Sequence, residues 1–509
     1  MTFSSPQDSA DPTTTDELVR RAAAAEEAFD AWSVQPPRTR ARALAGAASA
    51  LEARADELVG LATRETGLTE PRLRGEVRRT CVQLRLFADL VADGEYLDVR
   101  IDEADPDFVL GPRPDLRRMM VPVGPVLNFA ASNFPFAFSV PGGDTASALA
   151  AGCSVVVKAH WGHPELSRLV GAIMSDALEA AGAPRGTLQV IYGQEQGVAM
   201  LKDPRIRAAT FTGSLGAGRM LADVAAARPA PIPFYGELGS VNPEFVTRAR
   251  LEGGGREVAT GYVASVALSA GQFCTKPGFL FVSDLAAVAG TISEAAASVG
   301  EHRLLNRRIA EGYALRRDDV LAAEGVTVLA RGSVRWDEDG HAWATPTLVG
   351  VSLATLEVRG SVLLDEAFGP LSIVVEYSSE ADLPAVVRRL FPGNLTGGVH
   401  AREGEETPEL RALLRELSRT SGRVLVNGWP TGVSVTPAMQ HGGPWPATTG
   451  GLGTSVGTDA VTRFLRGVTY QNVPQALLPE PLRDDNPWGV PRRYAPAGES
   501  ASWGSRAST

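Results

Sequence analysis

The run Gly271-Gln272-Phe273-Cys274-Thr275-Lys276-Pro277-Gly278 places a cysteine in a turn bounded by glycine and proline, directly after a long apolar segment. Such a turn exposes a side chain on a constrained backbone. A thiol there can act as a nucleophile, because some thiolate exists at neutral pH and sulfur is intrinsically reactive. Lys276 would lower the thiol pKa if it points inward. The competing reading is an ordinary buried cysteine, since cysteine is among the most buried residue types. Cys153, after Ala-Ala-Gly, and Cys81, on a helical face, read as packing residues.

Four further stretches could supply partners. Phe234-Tyr235-Gly236-Glu237-Leu238-Gly239 sets a carboxylate between glycines at a strand end. Burial beside Phe and Tyr would raise its pKa toward that of a general base; a solvated loop glutamate is the alternative. Asn133, in Ala131-Ser132-Asn133-Phe134-Pro135, follows a strand directly. Its amide could hold an oxyanion, an interaction of about 3 kcal/mol, or it could be a plain turn residue. Val155-Val156-Val157-Lys158 ends an apolar strand in one of only three lysines among 49 basic residues. That ammonium suits a ribose hydroxyl or phosphate, with snorkelling from an apolar surface as the bland alternative. Phe211-Thr212-Gly213-Ser214-Leu215-Gly216-Ala217-Gly218 joins a strand to a helix whose free N–H groups can hold a pyrophosphate. It departs from the usual GxGxxG fingerprint. No HExxH, paired-cysteine or histidine-cluster pattern points to a metal, and His160 and His163 share a Trp-Gly-His-Pro loop unsuited to one.

The surrounding patterns predict the elements that position these residues. Residues 1–14 are polar and expected to be disordered. Helical patterns follow at 16–32, with Thr15 as N-cap, at 38–64 and at 72–92, none carrying obvious chemistry. From residue 121 strands and helices alternate: strands at 121–129, 154–157, 187–192 and 208–212, helices at 144–151, 164–181 and 216–226. This punctuation predicts a parallel sheet covered on both faces. A second α/β region after Pro243 carries a helix at 256–270 and strands at 279–282, 372–375 and 423–426. Segments 96–110 and 467–473 alternate weakly and could pair as an arm. The tail from Pro474 reads as irregular.

The chain has 509 residues, 44% hydrophobic and 21% charged, with a net charge of −10. Length predicts about three domains. The acidic balance argues against nucleic acid and anionic membranes as partners. Three cysteines cannot build a disulfide framework and fit a reducing compartment. The N-terminal stretch has neither a basic start nor an apolar run, and no stretch offers the ~20 apolar residues that span a bilayer. The expectation is a cytoplasmic protein.

In order, ASNFP (131–135), VVVK (155–158), FTGS (211–214), ELG (237–239) and GQFCTKPG (271–278) resemble the NAD(P)-dependent aldehyde dehydrogenase superfamily. Glu366-Ala367-Phe368-Gly369-Pro370 is similar to a sixth motif of that family. The resemblance implies that Cys274 attacks the aldehyde carbon, that Asn133 and the Cys274 N–H hold the oxyanion, and that Glu237 activates the water that hydrolyses a thioester. It implies cofactor contacts from Lys158, Gly213, Ser214, Gly218, Leu238, Glu366 and Phe368, and no metal. The implied fold class is α/β: a coenzyme domain (15–98 and 120–242) and a catalytic domain (243–445), each with a parallel sheet. A β oligomerisation arm with the C-terminal tail (99–119 and 446–509) completes a homodimer or homotetramer.

Stretches 112–119 (PRPDLRRM), 142–152, 427–448 with its HGGPWPAT, and 470–482 look like members of this family acting on 2-oxoglutarate semialdehyde (2,5-dioxopentanoate) in sugar-acid or hydroxyproline catabolism. NADP-dependent fatty aldehyde members share several of them. Trp161 stands where NAD-preferring relatives place a glutamate against the adenosine ribose, which permits NADP, although Glu195 nearby does not help a phosphate. NADP is therefore expected, with NAD possible. Phe134, Phe273, Trp429 and Trp445 could line an aromatic tunnel or simply pack. Two rivals remain: a cysteine hydrolase, which would need a histidine for which no motif is evident, and a binding protein on a retired scaffold.

Overall fold

A computed structural model describes residues 11–505. Most of the expected disorder at 1–14 lies outside the described residues. Thr13 is buried, and its backbone and hydroxyl bond to Tyr192, so order begins before residue 15. Thr14, rather than Thr15, caps helix α1 (Thr15–Ser33) by accepting from Glu17 N–H. The single helix expected at 38–64 is two, α2 (Pro37–Ala53) and α3 (Ala55–Thr66), broken at Arg54. Helix α4 (Glu70–Asp93) follows and buries Leu73, Val77, Leu84 and Phe87.

The first sheet has five parallel strands in the order Leu188–Ile191, Val155–Lys158, Val126–Phe129, Ala208–Thr212, Phe234–Glu237. Val126–Phe129 is central, and the chain leaves it to one side first and crosses to the other later. Ligands of open α/β sheets bind at the carboxyl ends of the strands beside such a reversal. One face packs on α2, α4 and helices Gly143–Ala151 and Pro164–Ala180; the other packs on α1 and helix Leu215–Ala226.

The stretch 121–129, expected as one strand, divides. Leu116–Pro122 belongs to a separate four-stranded sheet, ordered Leu465–Gln471, Leu116–Pro122, Val99–Asp102, Arg492–Ala495. Strand Leu116–Pro122 thus stands between the two segments expected to pair with each other. The tail is not irregular throughout, because Arg492–Ala495 pairs in parallel with Val99–Asp102.

The second large sheet has seven strands: Thr327–Ala330, Thr347–Ser352, Leu371–Glu376, Phe279–Val282, Pro243–Val246, Asn394–His400, Ser421–Val426. All pair in parallel except the first. The helix expected at 256–270 begins earlier, as Arg248–Ala267. It ends in Ser269, Ala270 and Gly271, three successive residues with φ of 50°, 53° and 63°. Left-handed backbone costs a non-glycine residue roughly 1 kcal/mol or more, and here it turns the chain sharply ahead of Cys274. A Cβ at Gly271 would lie 2.4 Å from Gly369 O, so glycine lets the cysteine loop close on segment 366–370. No described helix is long and apolar enough to cross a membrane.

Candidate active site

The two parallel sheets present their loops to one cavity of about 740 Å³, within the usual range for ligand sites. Its walls include Asn133, Lys158, Gly213, Ser214, Glu237, Leu238, Cys274, Glu366 and Phe368, nine of the ten site residues expected from the sequence. Gly218 lies behind the wall, pressed on Leu238 so closely that a Cβ would approach Leu238 Cδ2 to 2.1 Å.

Cys274 is half-buried. Burial pushes its thiol well above the ordinary cysteine range, and the negative charges of Glu237 and Glu366 push the same way. Lys276 does not lower it, contrary to the sequence expectation. Its Nζ points away, donating to the carbonyls of Ala367 and Leu371. Lys276 therefore ties the cysteine loop to the segment carrying Glu366. Burial brings Lys276 down to about 8 and Glu366 up to about 7, each opposed by the other's charge. Asn242 braces the loop from below, donating to the carbonyls of Cys274 and Lys276.

Asn133 is buried and donates from its amide to Gln272 O at 3.1 Å, beside the cysteine loop. Glu237 ends strand Phe234–Glu237 and is 5% exposed. Its Oε2 accepts from Ser455 at 2.6 Å, and its Oε1 lies 3.0 Å from His441 Nε2, an ion-pair contact off hydrogen-bond alignment. Burial raises this carboxyl, but the charge of His441 beside it, with the Ser455 and Cys274 bonds, holds it below the ordinary range. The sequence expected a raised carboxyl. The neighbours that reverse its direction are 204 and 218 residues away, beyond any local pattern.

His441 overturns a second expectation. Its Nε2 lies 3.6 Å from Cys274 Sγ, so the thiol does have a histidine partner. It comes from the stretch HGGPWPAT, which bridges back to Glu237 through Thr448 and to Leu238 N through Ala447 O. Cys274, Glu237 and His441 are also near enough together to hold a metal ion, as are Asp337, Asp339 and His341, although no sequence spacing suggested either group.

Helix α4, expected to carry no chemistry, reaches the site. Arg72 donates to Asn133 O, and Glu76 accepts from the N–H groups of Phe136 and Ala137. Phe134 and Phe273 pack edge to face, 5.3 Å apart. Trp429 does not join them: it lies on His400, 4.2 Å away, beside a separate cavity. Trp445 is 47% exposed under Arg219. Cys81 and Cys153 are fully buried, which pushes their thiols up to about 11 and about 12.

A dinucleotide fits the remaining wall. Lys158 ends its strand at the rim of the sheet, Ser214 stands at the N-cap of helix Leu215–Ala226 without a side-chain bond to it, and Gly213 and Gly239 lie where a Cβ would strike Phe211 and Glu366. Bare backbone of this kind admits close approach of a phosphate or ribose.

Residues 8–306 match the model of the aldehyde dehydrogenase family, and the chain belongs to that family. It is thus an NAD(P)-dependent aldehyde dehydrogenase, which oxidises an aldehyde to a carboxylic acid. It is 42% identical to alpha-ketoglutaric semialdehyde dehydrogenase of Acinetobacter baylyi over 94% of this chain and 91% of that one. It is also 42% identical to alpha-ketoglutaric semialdehyde dehydrogenase 2 of Azospirillum brasilense, over 92% and 89%. Among solved structures it resembles aldehyde dehydrogenase 21 of Physcomitrella patens with a TM-score of 0.75, at 21% identity over 91% and 92% of the two chains, a likeness of fold.

Proposed function

We propose that this enzyme oxidises 2-oxoglutarate semialdehyde to 2-oxoglutarate, using NADP in preference to NAD. The substrate reading is supported by the two relatives at 42% identity. The residue roles rest on one observation: a thiol, a carboxylate and an imidazole meet within 3.6 Å contacts in a cavity shared with Asn133.

In this reading, Nε2 of His441 accepts the Cys274 proton, and Glu237 beside it stabilises the positive charge that results. The sulfur bonds the aldehyde carbon. Asn133 Nδ2–H and the Cys274 N–H hold the oxyanion of the thiohemiacetal. A nicotinamide dinucleotide held in this cavity would supply the hydride acceptor, and loss of hydride from the carbon bonded to Cys274 gives a thioester. Glu237, ionised because its neighbours hold it low, takes a proton from the water that hydrolyses the thioester. Lys158 and Glu366 would hold the ribose hydroxyls of that dinucleotide, Gly213 and Ser214 its pyrophosphate and Phe368 its nicotinamide, and Leu238, backed by Gly218, completes the wall.

NADP is favoured by the cavity's charges. Trp161 lines it in place of a carboxylate, Glu195 is not part of the wall, and Arg308 is. Residues 15–98 and 120–242 form the coenzyme domain in this reading, 243–445 the catalytic domain, and 99–119 with 446–509 the oligomerisation arm. The outer strand Leu465–Gln471, largely exposed, offers an edge for pairing with another copy. A homodimer or homotetramer in the cytoplasm is the expected form.

The test is a steady-state screen of 2-oxoglutarate semialdehyde, hexanal and benzaldehyde with NADP and with NAD. The reading requires the highest kcat/KM for the semialdehyde with NADP. A higher value for hexanal would assign the enzyme to fatty aldehydes instead, and a higher value with NAD would reverse the cofactor preference.

A further inference from the structure

Helix α4 carries Arg72, Glu76 and Arg79 at spacings of four and three, which places them on one face. That face looks onto an aromatic cluster beside the catalytic thiol. Arg72 Cζ lies 5.0 Å from the ring centres of both Phe134 and Phe273, and Arg79 Cζ lies 5.3 Å from that of Phe138. Phe138 is in turn 5.9 Å from the ring of His441. One aromatic ring thus separates Arg79 from the imidazole that touches Cys274 Sγ.

The two guanidiniums are engaged very differently from the surface arginines, which mostly pair with carboxylates. Arg72 spends one Nη on Asn133 O and leaves the other buried without a partner. Arg79 makes no hydrogen bond or ion pair with any described residue, and its Nη1 is buried. Glu76 is the one carboxylate on this face, and its Oε1 is occupied by Phe136 and Ala137 N–H. On this face two cations meet one anion, and Glu237 is the other carboxylate near enough to act on Arg79. Burial disfavours the charged form of both arginines. A half-buried guanidinium with idle donors in such surroundings is costly unless an anion completes it. The planar fork of arginine matches a carboxylate in two-point contact.

We propose that Arg79, with Arg72 as its support, is the subsite that grips the distal carboxylate of a semialdehyde while the aldehyde carbon lies at Cys274. The subsite selects short aldehydes carrying an anionic far end and admits uncharged aldehydes without anchoring them. Arg72 acts on the same ligand and also fixes Asn133 by its backbone carbonyl, so its loss would disturb the oxyanion as well. Arg79 is the cleaner probe. This inference rests on the semialdehyde reading above.

The test compares kcat/KM for 2-oxoglutarate semialdehyde and for pentanal, an uncharged aldehyde of the same carbon count, in wild type, Arg79→Gln and Arg79→Lys. The ratio between the two substrates is the readout, so a general loss from poor folding cancels. The ratio should fall at least 30-fold in Arg79→Gln, chiefly through KM for the semialdehyde, and recover in part in Arg79→Lys, which keeps the charge without the fork. An unchanged ratio in Arg79→Gln, with wild type preferring the semialdehyde, overturns the subsite alone. An equal fall on both substrates overturns it too, because Arg79 would then serve the thiol or the helix. A wild-type preference for pentanal overturns the semialdehyde reading and the subsite with it.

Discussion

His441 Nε2 lies 3.6 Å from Cys274 Sγ and 3.0 Å from Glu237 Oε1, so one nitrogen faces both the nucleophile and the carboxylate. Burial and the charge of Glu237 oppose a thiolate at Cys274, and the imidazole lies in position to take its proton. His441→Gln is expected to lower kcat/KM by about 10²-fold at pH 7, the usual scale for a lost proton acceptor. The variant should regain activity as pH rises, because solvent then removes the proton. The rate of Cys274 alkylation by iodoacetamide against pH checks this: its midpoint moves upward in the variant. A midpoint that stays in place would show the histidine to be structural.

Lys276 is tied to Ala367 O and Leu371 O, on either side of Phe368 and next to Glu366. Lys276→Met leaves those carbonyls unpaired. Its dinucleotide KM is expected to rise about tenfold, with Cys274 alkylation within twofold of wild type. Lys276 loses its proton as pH climbs through about 8, so wild-type KM should also climb there and that of Lys276→Met should not. Both quantities follow from initial rates at pH 7 to 9.

These two residues mark what the sequence could and could not convey. Cys274, Glu237, Asn133, Lys158 and the Gly213-Ser214 turn each sit in a loop at a strand end, and a short motif is enough to mark such a loop. The cavity then needs only that both sheets aim their carboxyl edges the same way. The interactions that set the chemistry span the chain: Cys274 to His441 over 167 residues, Asn133 to Arg72 over 61. No spacing rule reaches that far. Lys276 was visible by its rarity, but its direction was not, because residues 367 and 371 hold it. Helix α4 has a clear apolar face, and nothing in its pattern marks the arginines beside that face as reaching the site.

Glu244 is fully buried, with neither carboxylate oxygen hydrogen-bonded and His400 Nε2 3.6 Å away. Burial pushes its carboxyl up, more than His400 pulls it down. The folded state therefore holds this proton to higher pH than the unfolded chain, and stability falls as pH rises through and above the ordinary carboxylate range. Glu244→Gln removes that loss. Its apparent melting temperature should exceed that of wild type by about 1–3 °C at pH 8 and lose the advantage near pH 4.5. Thermal melts at the two pH values provide the comparison.

Trp161 stacks on His160 in the cavity wall. Trp161→Glu would place a carboxylate where a 2′-phosphate is to be accommodated, and like charges in a half-buried site repel strongly. The ratio of kcat/KM for NADP over NAD should fall about tenfold or more. A ratio unmoved by the substitution would mean that the phosphate binds elsewhere.

The central claim is that the Cys274 sulfur bonds the carbonyl carbon before the dinucleotide is reduced. The rate of NADPH formation by Cys274→Ser, at saturating aldehyde and NADP, tests it most directly. The account requires a rate at least 10³-fold below wild type, because a serine hydroxyl in this setting has neither the acidity nor the nucleophilicity of the thiol. A Cys274→Ser enzyme that forms NADPH at the wild-type rate would contradict it.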